Sequence, residues 1–187
     1  MDKKEALKIV QEEPLSLEEL PAMFKKDKEV VLEAVTNFGD ALEFADESLK
    51  KDKEIVLEAV TNFGPALEFA DESFKKDKRF ILDLAKLGSD ALEFADESLK
   101  KDKEIILEAV KKHGSFLRFA DESLKKDRKF ILEVLKLNGA ALQQVDDIFK
   151  KDKEIVLEAI KQDKDALECA DKSLWNDPDI LAEVNKK

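Results

Sequence analysis

The sequence predicts an all-α fold, an α-solenoid of short two-helix repeats with a period of 25 residues. The clearest sign is that ALEFADESLKKDKEIVLEAVTNFGP at 41–65 returns as ALEFADESLKKDKEIILEAVKKHGS at 91–115. Within each unit, two apolar blocks are separated by a Lys-Asp step and closed by a Gly step in most repeats. A unit this small cannot bury its own apolar face, so stacked neighbours must complete the core.

The period divides the chain without an insertion. Six repeats occupy 16–40, 41–65, 66–90, 91–115, 116–140 and 141–165. Residues 1–15 form an N-terminal half repeat, and residues 166–187 form a shortened C-terminal capping repeat. We therefore expect a single helical-repeat domain over 1–187.

Two helices are expected in each repeat, and capping residues mark their ends. In the second repeat the first helix covers about 41–50 and the second about 53–63. Asp52 precedes the second helix, where its carboxylate can accept the unpaired amide hydrogens of the first turn. Gly64 follows that helix and allows a left-handed C-cap. The same two residue types recur at these positions in most other repeats.

The second helix of each repeat is expected to be the more buried. Its apolar residues cover an arc of roughly 200°, against roughly 160° for the first helix. Leu57 lies on the wider arc, and leucine occupies the same position in six consecutive repeats. We expect this leucine column to form a seam between stacked repeats.

Composition favours a folded, acidic protein. Of 187 residues, 43% are apolar, which suffices for a substantial core, although 41% are charged. The net charge is -11 and the sequence pI is near 4.8. Nucleic-acid phosphates and anionic membrane surfaces would be repelled at long range, so we expect neither as a partner. Basic or neutral proteins and peptides fit this charge better.

Cysteine content and the N-terminus indicate the cytoplasm. Cys169 is the only cysteine, so no intrachain disulfide can form, and a reducing compartment is the simpler interpretation. The N-terminal segment MDKKEALKIVQEEPL lacks the apolar stretch of a signal peptide, and no later run approaches the ~18 apolar residues of a membrane span. Secretion by a signal of another kind is the alternative.

The residue inventory argues against catalysis. His113 is the only histidine and lies in a turn, so a base or metal ligand is less expected than a solvent-facing residue. Cys169 occupies a helix position that other repeats fill with phenylalanine, so we expect partial burial rather than nucleophilic work. Neither a cofactor nor a metal is predicted, because glycine-rich phosphate loops, calcium loops and zinc ligand sets are missing from the sequence.

Paired carboxylates are abundant but adjacent in sequence. Asp46 and Glu47 recur in several repeats, and neighbours on a helix do not converge on one point as a catalytic pair would. We interpret them as a solvated face, with Asp46 to Lys50 and Glu47 to Lys51 as i,i+4 pairs. An enzyme that uses scattered carboxylates is the least favoured function class.

Two columns of side chains are the candidates for partner binding. The aromatic column comprises Phe44, Phe69, Phe94 and Phe119. The acidic column comprises Asp46, Asp71, Asp96 and Asp121. The phenylalanines lie at the edge of the apolar arc of the first helix, where they either seal the joint between repeats or line an exposed groove, and the core interpretation is favoured.

The segment ALEFADESLKKDKEIVLEAVTNFG resembles the repeats of the domain-of-unknown-function 4116 family, in which an apolar helix with alanine, a lysine-rich DK turn, a second apolar helix and a glycine step follow one another. The resemblance covers residues 16 to about 174. It implies a helical repeat module of bacterial and some eukaryotic microbial proteins, with no assigned catalytic residues. SLEELPAMF at 16–24 and ALECADKSLWNDPD at 166–179 depart from the pattern, as capping repeats do.

From these features we expect a non-catalytic helical-repeat scaffold that binds a protein or peptide along an extended acidic surface. The alternative is a purely structural spacer, native or engineered, with no specific ligand. Uncharged or aromatic surface concentrated on one face would favour binding, whereas a uniformly charged exterior would favour the spacer. Partner contacts could also be tuned by the turns between repeats, which vary most in sequence.

Overall fold

A computed structural model describes residues 1–186 of this chain, and within them it contains helices and no β-strand. The α-helices are α1 (Lys3–Glu12), α2 (Ala22–Lys25), α3 (Lys28–Asn37), α4 (Lys53–Asn62), α5 (Glu72–Lys76), α6 (Lys78–Leu87), α7 (Glu97–Lys100), α8 (Lys103–Lys112), α9 (Glu122–Lys125), α10 (Arg128–Leu137), α11 (Asp147–Lys150), α12 (Lys153–Gln162) and α13 (Pro178–Val184). The 3-10 helices are Pro14–Glu19, Gly39–Phe44, Gly64–Phe69, Asp90–Phe94, Gly114–Phe119, Gly139–Gln144, Lys164–Cys169 and Lys172–Leu174. The all-α repeat solenoid with a 25-residue period is confirmed.

Aspartate caps begin the ten-residue helices, as predicted. In α4 the Asp52 carboxylate accepts hydrogen bonds from the backbone amides of Glu54 at 3.0 Å and Ile55 at 3.4 Å. These amides have no partner inside the helix, so the cap stabilises its first turn. Equivalent caps are made by Asp27, Asp77, Asp102, Asp127 and Asp152.

The residues predicted as one first helix, about 41–50, form two pieces. The 3-10 helix Gly39–Phe44 ends where Ala45 adopts an extended conformation, with φ -67° and ψ 153°. Asp46 then begins a new turn, and its carboxylate accepts from the amide of Ser48 at 3.1 Å and from the Ser48 hydroxyl at 2.7 Å. Short polar side chains that bond to nearby backbone favour turns and caps over helix interiors. The break follows from this Asp-Glu-Ser segment.

The glycines of the Gly steps (Gly39, Gly64, Gly114 and Gly139) act by close approach rather than by a left-handed cap, so that expectation was wrong. Within residues 1–186, Gly88 is the one residue with positive φ, at 79°. Residue Phe38 ends α3 in an extended conformation instead, and Gly39 follows it. A Cβ at Gly39 would lie 2.4 Å from the carbonyl oxygen of Ala59, in the next long helix. The absence of a side chain lets the turn pack on that helix.

The core comprises the apolar face of each long helix and the alanines and leucines of the 3-10 helices. In α4, Ile55 and Val56 are fully buried. Leu57, predicted to form a seam, is instead 37% exposed, and the equivalent leucines of the other long helices are intermediate in burial. Because α4 turns by about 100° per residue, Leu57 falls at the edge of the buried arc. The leucine column therefore lies at the margin of the core.

Met1–Leu84 and Ser89–Asp96 form the first of two compact units. In this unit α1 packs on α3 and α3 on α4, and the first four 3-10 helices stack in chain order. Backbone hydrogen bonds also join consecutive repeats. The amides of Asp46, Asp71 and Asp96 donate to the carbonyls of Lys25, Lys50 and Lys75 at 3.0, 3.1 and 2.9 Å.

Ala85–Gly88 and the chain from Glu97 onward form the second unit. Here α10 packs on α8 and on α12, and α13 packs on α12. The 3-10 helices that begin at Gly114, Gly139 and Lys164 stack in order. Lys187, the last residue of the single domain predicted over 1–187, lies outside the described residues, and that domain organisation stays a prediction.

Ion pairs connect the starts of successive long helices. Lys28, the first residue of α3, contacts the cap of α4 at Asp52, 2.7 Å away, and also Glu54 at 2.8 Å. In the second unit Arg128 contacts Asp152 and Glu154 in the same way, at 3.0 and 2.5 Å. Within residues 1–186 Lys53 makes no such bond, and Arg79 replaces the glutamate that it would contact. The ion pair between the starts of α4 and α6, in the first unit, is therefore missing.

Candidate partner-binding surface

The aromatic column is half-buried in the first unit. Phe44, Phe69 and Phe94 each end a 3-10 helix, and these helices stack on one another. Each ring is intermediate in exposure, so the column is neither a sealed core nor a fully open groove. Aromatic surface is thus repeated at a fixed interval along one set of elements.

The carboxylates of the acidic column already have hydrogen-bond or ion-pair partners within the chain. The Asp46 carboxylate accepts two hydrogen bonds from Ser48, and Lys26 of the preceding repeat lies 3.6 Å away. The Ser48 hydroxyl, then the Ser48 amide, keep the pKa of Asp46 below its ordinary value, against a smaller opposing effect of burial. Asp71 and Asp121 have equivalent serine partners, and Asp96 is also engaged. The main role of these aspartates is therefore to cap the following turn, and their carboxylates already accept hydrogen bonds.

The structure draws attention to a third column, which sequence reasoning missed. A glutamate immediately precedes each of the three phenylalanines of the aromatic column in the first unit, at Glu43, Glu68 and Glu93. All three are exposed, and no hydrogen bond or ion pair engages them among the described residues. We call these three Glu-Phe pairs, 43–44, 68–69 and 93–94, the Phe-Glu column. The repeat of Glu-Phe in the sequence was the available signal.

The pattern changes at the fourth phenylalanine, in the second unit. Arg118 replaces the preceding glutamate, and its guanidinium carbon lies 4.4 Å from the centre of the Phe119 ring. Phe116 stands where most other repeats have alanine, and its ring is 5.6 Å from that of Phe119. Phe119 is consequently only 9% exposed. The next repeats carry Gln144 and Cys169 in place of the phenylalanine.

His113 and Cys169 lie where the sequence suggested. His113 is exposed at the end of α8, and its ring centre is 5.2 Å from that of Phe116. Cys169 is half-buried and free. Among residues 1–186 no group of three or more histidine, cysteine, aspartate and glutamate side chains is arranged to hold a metal. None of the described helices has the length and apolar character needed to cross a membrane.

The chain matches one family in comparisons with known proteins. The model for a domain of unknown function, DUF4116, matches residues 2–50, 52–100, 77–125, 102–150 and 127–175. Each match spans nearly two of the 25-residue repeats, and successive matches begin 25 or 50 residues apart, in register with the period. No curated protein and no solved structure matches the chain. Because the matches cover most of its length, the chain belongs to the DUF4116 family.

Proposed function

We propose that this protein is a non-catalytic helical-repeat scaffold that binds a basic or neutral protein or peptide along an extended acidic surface. The observation that carries the proposal is the Phe-Glu column, where half-buried rings alternate with exposed, unengaged carboxylates in three consecutive repeats. A partner segment that crosses the stacked 3-10 helices would contact all three pairs, since repeated side chains on stacked units form extended binding surfaces.

The proposal moves the main binding role from the aspartates to the glutamates. Asp46 and its equivalents already bond to serine and to backbone, so a partner would have to share them. Glu43, Glu68 and Glu93 have no such structural bonds, and their charge is available to a basic ligand. The net charge of -11 adds long-range attraction for basic partners and repulsion of nucleic acid. With one half-buried cysteine, a reducing compartment, the cytoplasm, is the location we propose.

A selection experiment tests this function. The protein is immobilised and exposed to a phage library of random linear peptides, in parallel with the variant Glu43→Lys, Glu68→Lys and Glu93→Lys. Because the three glutamates are exposed and unengaged, the variant should keep the fold, which circular dichroism verifies. We expect enrichment of peptides that bind the native protein and lose at least tenfold in affinity for the variant.

The contrary result is equally clear. Peptides that bind both proteins alike would exclude the Phe-Glu column as the binding surface. Absence of any enriched peptide would contradict the scaffold function and favour the structural spacer.

A further inference from the structure

We propose that the Phe-Glu column binds arginine side chains. Each ring of Phe44, Phe69 and Phe94 takes the guanidinium group of one arginine from an extended peptide, and the glutamate beside the ring pairs with it. This inference rests on the proposed function and specifies its ligand. It is carried by a position in the second unit where the chain supplies such a guanidinium itself.

That position is Phe119, which is equivalent in the repeat to the three phenylalanines of the column. The Arg118 guanidinium carbon lies 4.4 Å from the centre of the Phe119 ring, within the range of a cation–π contact. A face of the ring at this repeat position is therefore accessible to a guanidinium group. The side chain of the preceding residue reaches that face.

In the described part of the first unit, no cation lies over the equivalent rings, and the residue before each ring is negatively charged. Among the described residues, no lysine or arginine lies over the rings of Phe44, Phe69 or Phe94. The residue that precedes each ring is a glutamate, where the second unit has Arg118. A guanidinium from a partner would thus find an aromatic face and a carboxylate together. Both groups attract a cation, and the carboxylate also accepts its hydrogen bonds.

Arginine fits this arrangement better than lysine. The planar guanidinium stacks on an aromatic face and presents a fork of donors to a carboxylate, and it is more weakly hydrated than an ammonium group. Lysine offers a compact charge whose contact with the ring requires more dehydration. The column should therefore distinguish two peptides of equal charge.

The spacing of the column suggests the form of the peptide. Packed helices lie about 8–10 Å apart, so neighbouring rings of the column should be separated by a similar distance. A polyproline II peptide has three residues per turn and rises about 3.1 Å per residue, which places every third side chain on one face about 9 Å apart. An arginine at every third position of such a peptide would meet one Glu-Phe pair each.

The test uses three synthetic peptides of the form (X-Pro-Pro)3, in which X is arginine, lysine or the neutral arginine analogue citrulline. Each carries a fluorescent label, and binding to the whole 187-residue chain is followed by anisotropy at low salt. We expect the arginine peptide to bind at least threefold more tightly than the lysine peptide and at least tenfold more tightly than the citrulline peptide. Ring proton resonances of Phe44, Phe69 and Phe94 should shift on titration.

Two charge-matched variants locate the site. The affinity for the arginine peptide should fall at least tenfold in the triple variant Glu43→Gln, Glu68→Gln and Glu93→Gln. The control, Glu133→Gln, Asp165→Asn and Glu168→Gln, removes three exposed charges of the second unit and should change its affinity less than twofold. Equal losses in both variants would show general electrostatic attraction and overturn the proposal.

The remaining outcomes separate this inference from the proposed function. Equal affinity for the arginine and lysine peptides overturns arginine recognition. Absence of binding by the arginine peptide at millimolar concentration does the same. In either case, phage-selected peptides that still depend on Glu43, Glu68 and Glu93 would leave the scaffold function standing. Failure of that selection as well would remove both.

Discussion

Glycine has a steric role at the end of the long helices. At Gly139 a Cβ would lie 2.3 Å from the carbonyl oxygen of Ala159 and 3.0 Å from the Cβ of Asp163. The carbonyl belongs to the backbone of α12, so it cannot rotate away as the end of a flexible side chain can. A single methyl group at this position would therefore have to separate two packed repeats.

We predict that Gly139→Ala destabilises the protein by about 1–3 kcal/mol, the usual cost of overpacking a well-packed contact. Urea denaturation followed by circular dichroism would measure the change in free energy of unfolding. Ala140→Ser is the matched control, because Ala140 is exposed in the same turn, and it should change stability by less than about 0.5 kcal/mol. If the two substitutions had equal effects, the close approach at Gly139 would not limit packing.

At the scale of secondary-structure elements, stacking is reinforced by ion pairs between the starts of successive long helices. Lys28 bonds to the cap of the next helix at Asp52, and Arg128 bonds to Asp152. Between α4 and α6 the equivalent residues are Lys53 and Asp77, and no ion pair joins them within the described chain. Arg79 occupies the position that Glu54 has in α4 and Glu154 has in α12, so this joint has a positive residue in place of the second acceptor.

We predict that Arg79→Glu stabilises the first unit, because Lys53 would gain an acceptor and lose a like-charged neighbour. Exposed pairs contribute little, so we expect about 0.2–1 kcal/mol. Thermal unfolding at low salt would detect the gain, and high salt should reduce it. The gain should vanish in the Lys53→Ala background, and its persistence there would show that the pair is not the cause.

Over the whole molecule, hydrogen bonds and ion pairs to aspartate carboxylates recur from repeat to repeat. Most engaged aspartates have a lowered pKa, because a lysine, arginine or serine donates to the charged form. The group comprises Asp27, Asp46, Asp52, Asp71, Asp121, Asp127, Asp152, Asp171 and Asp177. Asp40 differs from this group, since burial raises its pKa.

These directions predict acid sensitivity. A carboxyl whose pKa is lower in the folded state stabilises that state above the unfolded pKa, ordinarily 3.8 for aspartate. The stabilisation is lost as pH falls through the folded value, because the unfolded chain then binds protons first. We expect the melting temperature to be nearly constant from about pH 7 to pH 5 and to fall steeply below about pH 4. Calorimetry across this range would test it, and a constant melting temperature down to pH 2 would contradict it.

Asp40 should behave in the opposite way. Its folded pKa is raised, so its contribution to stability is present below the unfolded pKa and lost as pH rises through the folded value. Asp40→Asn should therefore be neutral or slightly stabilising at pH 7. The sign of this stability change distinguishes burial from ion pairing as the cause of a shifted pKa.

The sequence by itself determined the period, the all-α class and the aspartate caps. These features depend on local hydrogen bonds and on spacing along the chain, which residue types reveal directly. Asp52 is an example, since any carboxylate one residue before a helix can reach its free amides. The family followed from the same pattern.

Only the tertiary structure decided which repeated side chains are available to a partner. Asp46 and Glu43 are both acidic and both recur, yet Asp46 is engaged by Ser48 and by a lysine of the preceding repeat, and Glu43 is not. Phe44 and Phe119 occupy the same column, yet Arg118 and Phe116 cover only the latter. Availability depends on how side chains are placed in space by the turn and by the neighbouring repeat, so a pattern read along one repeat does not determine it.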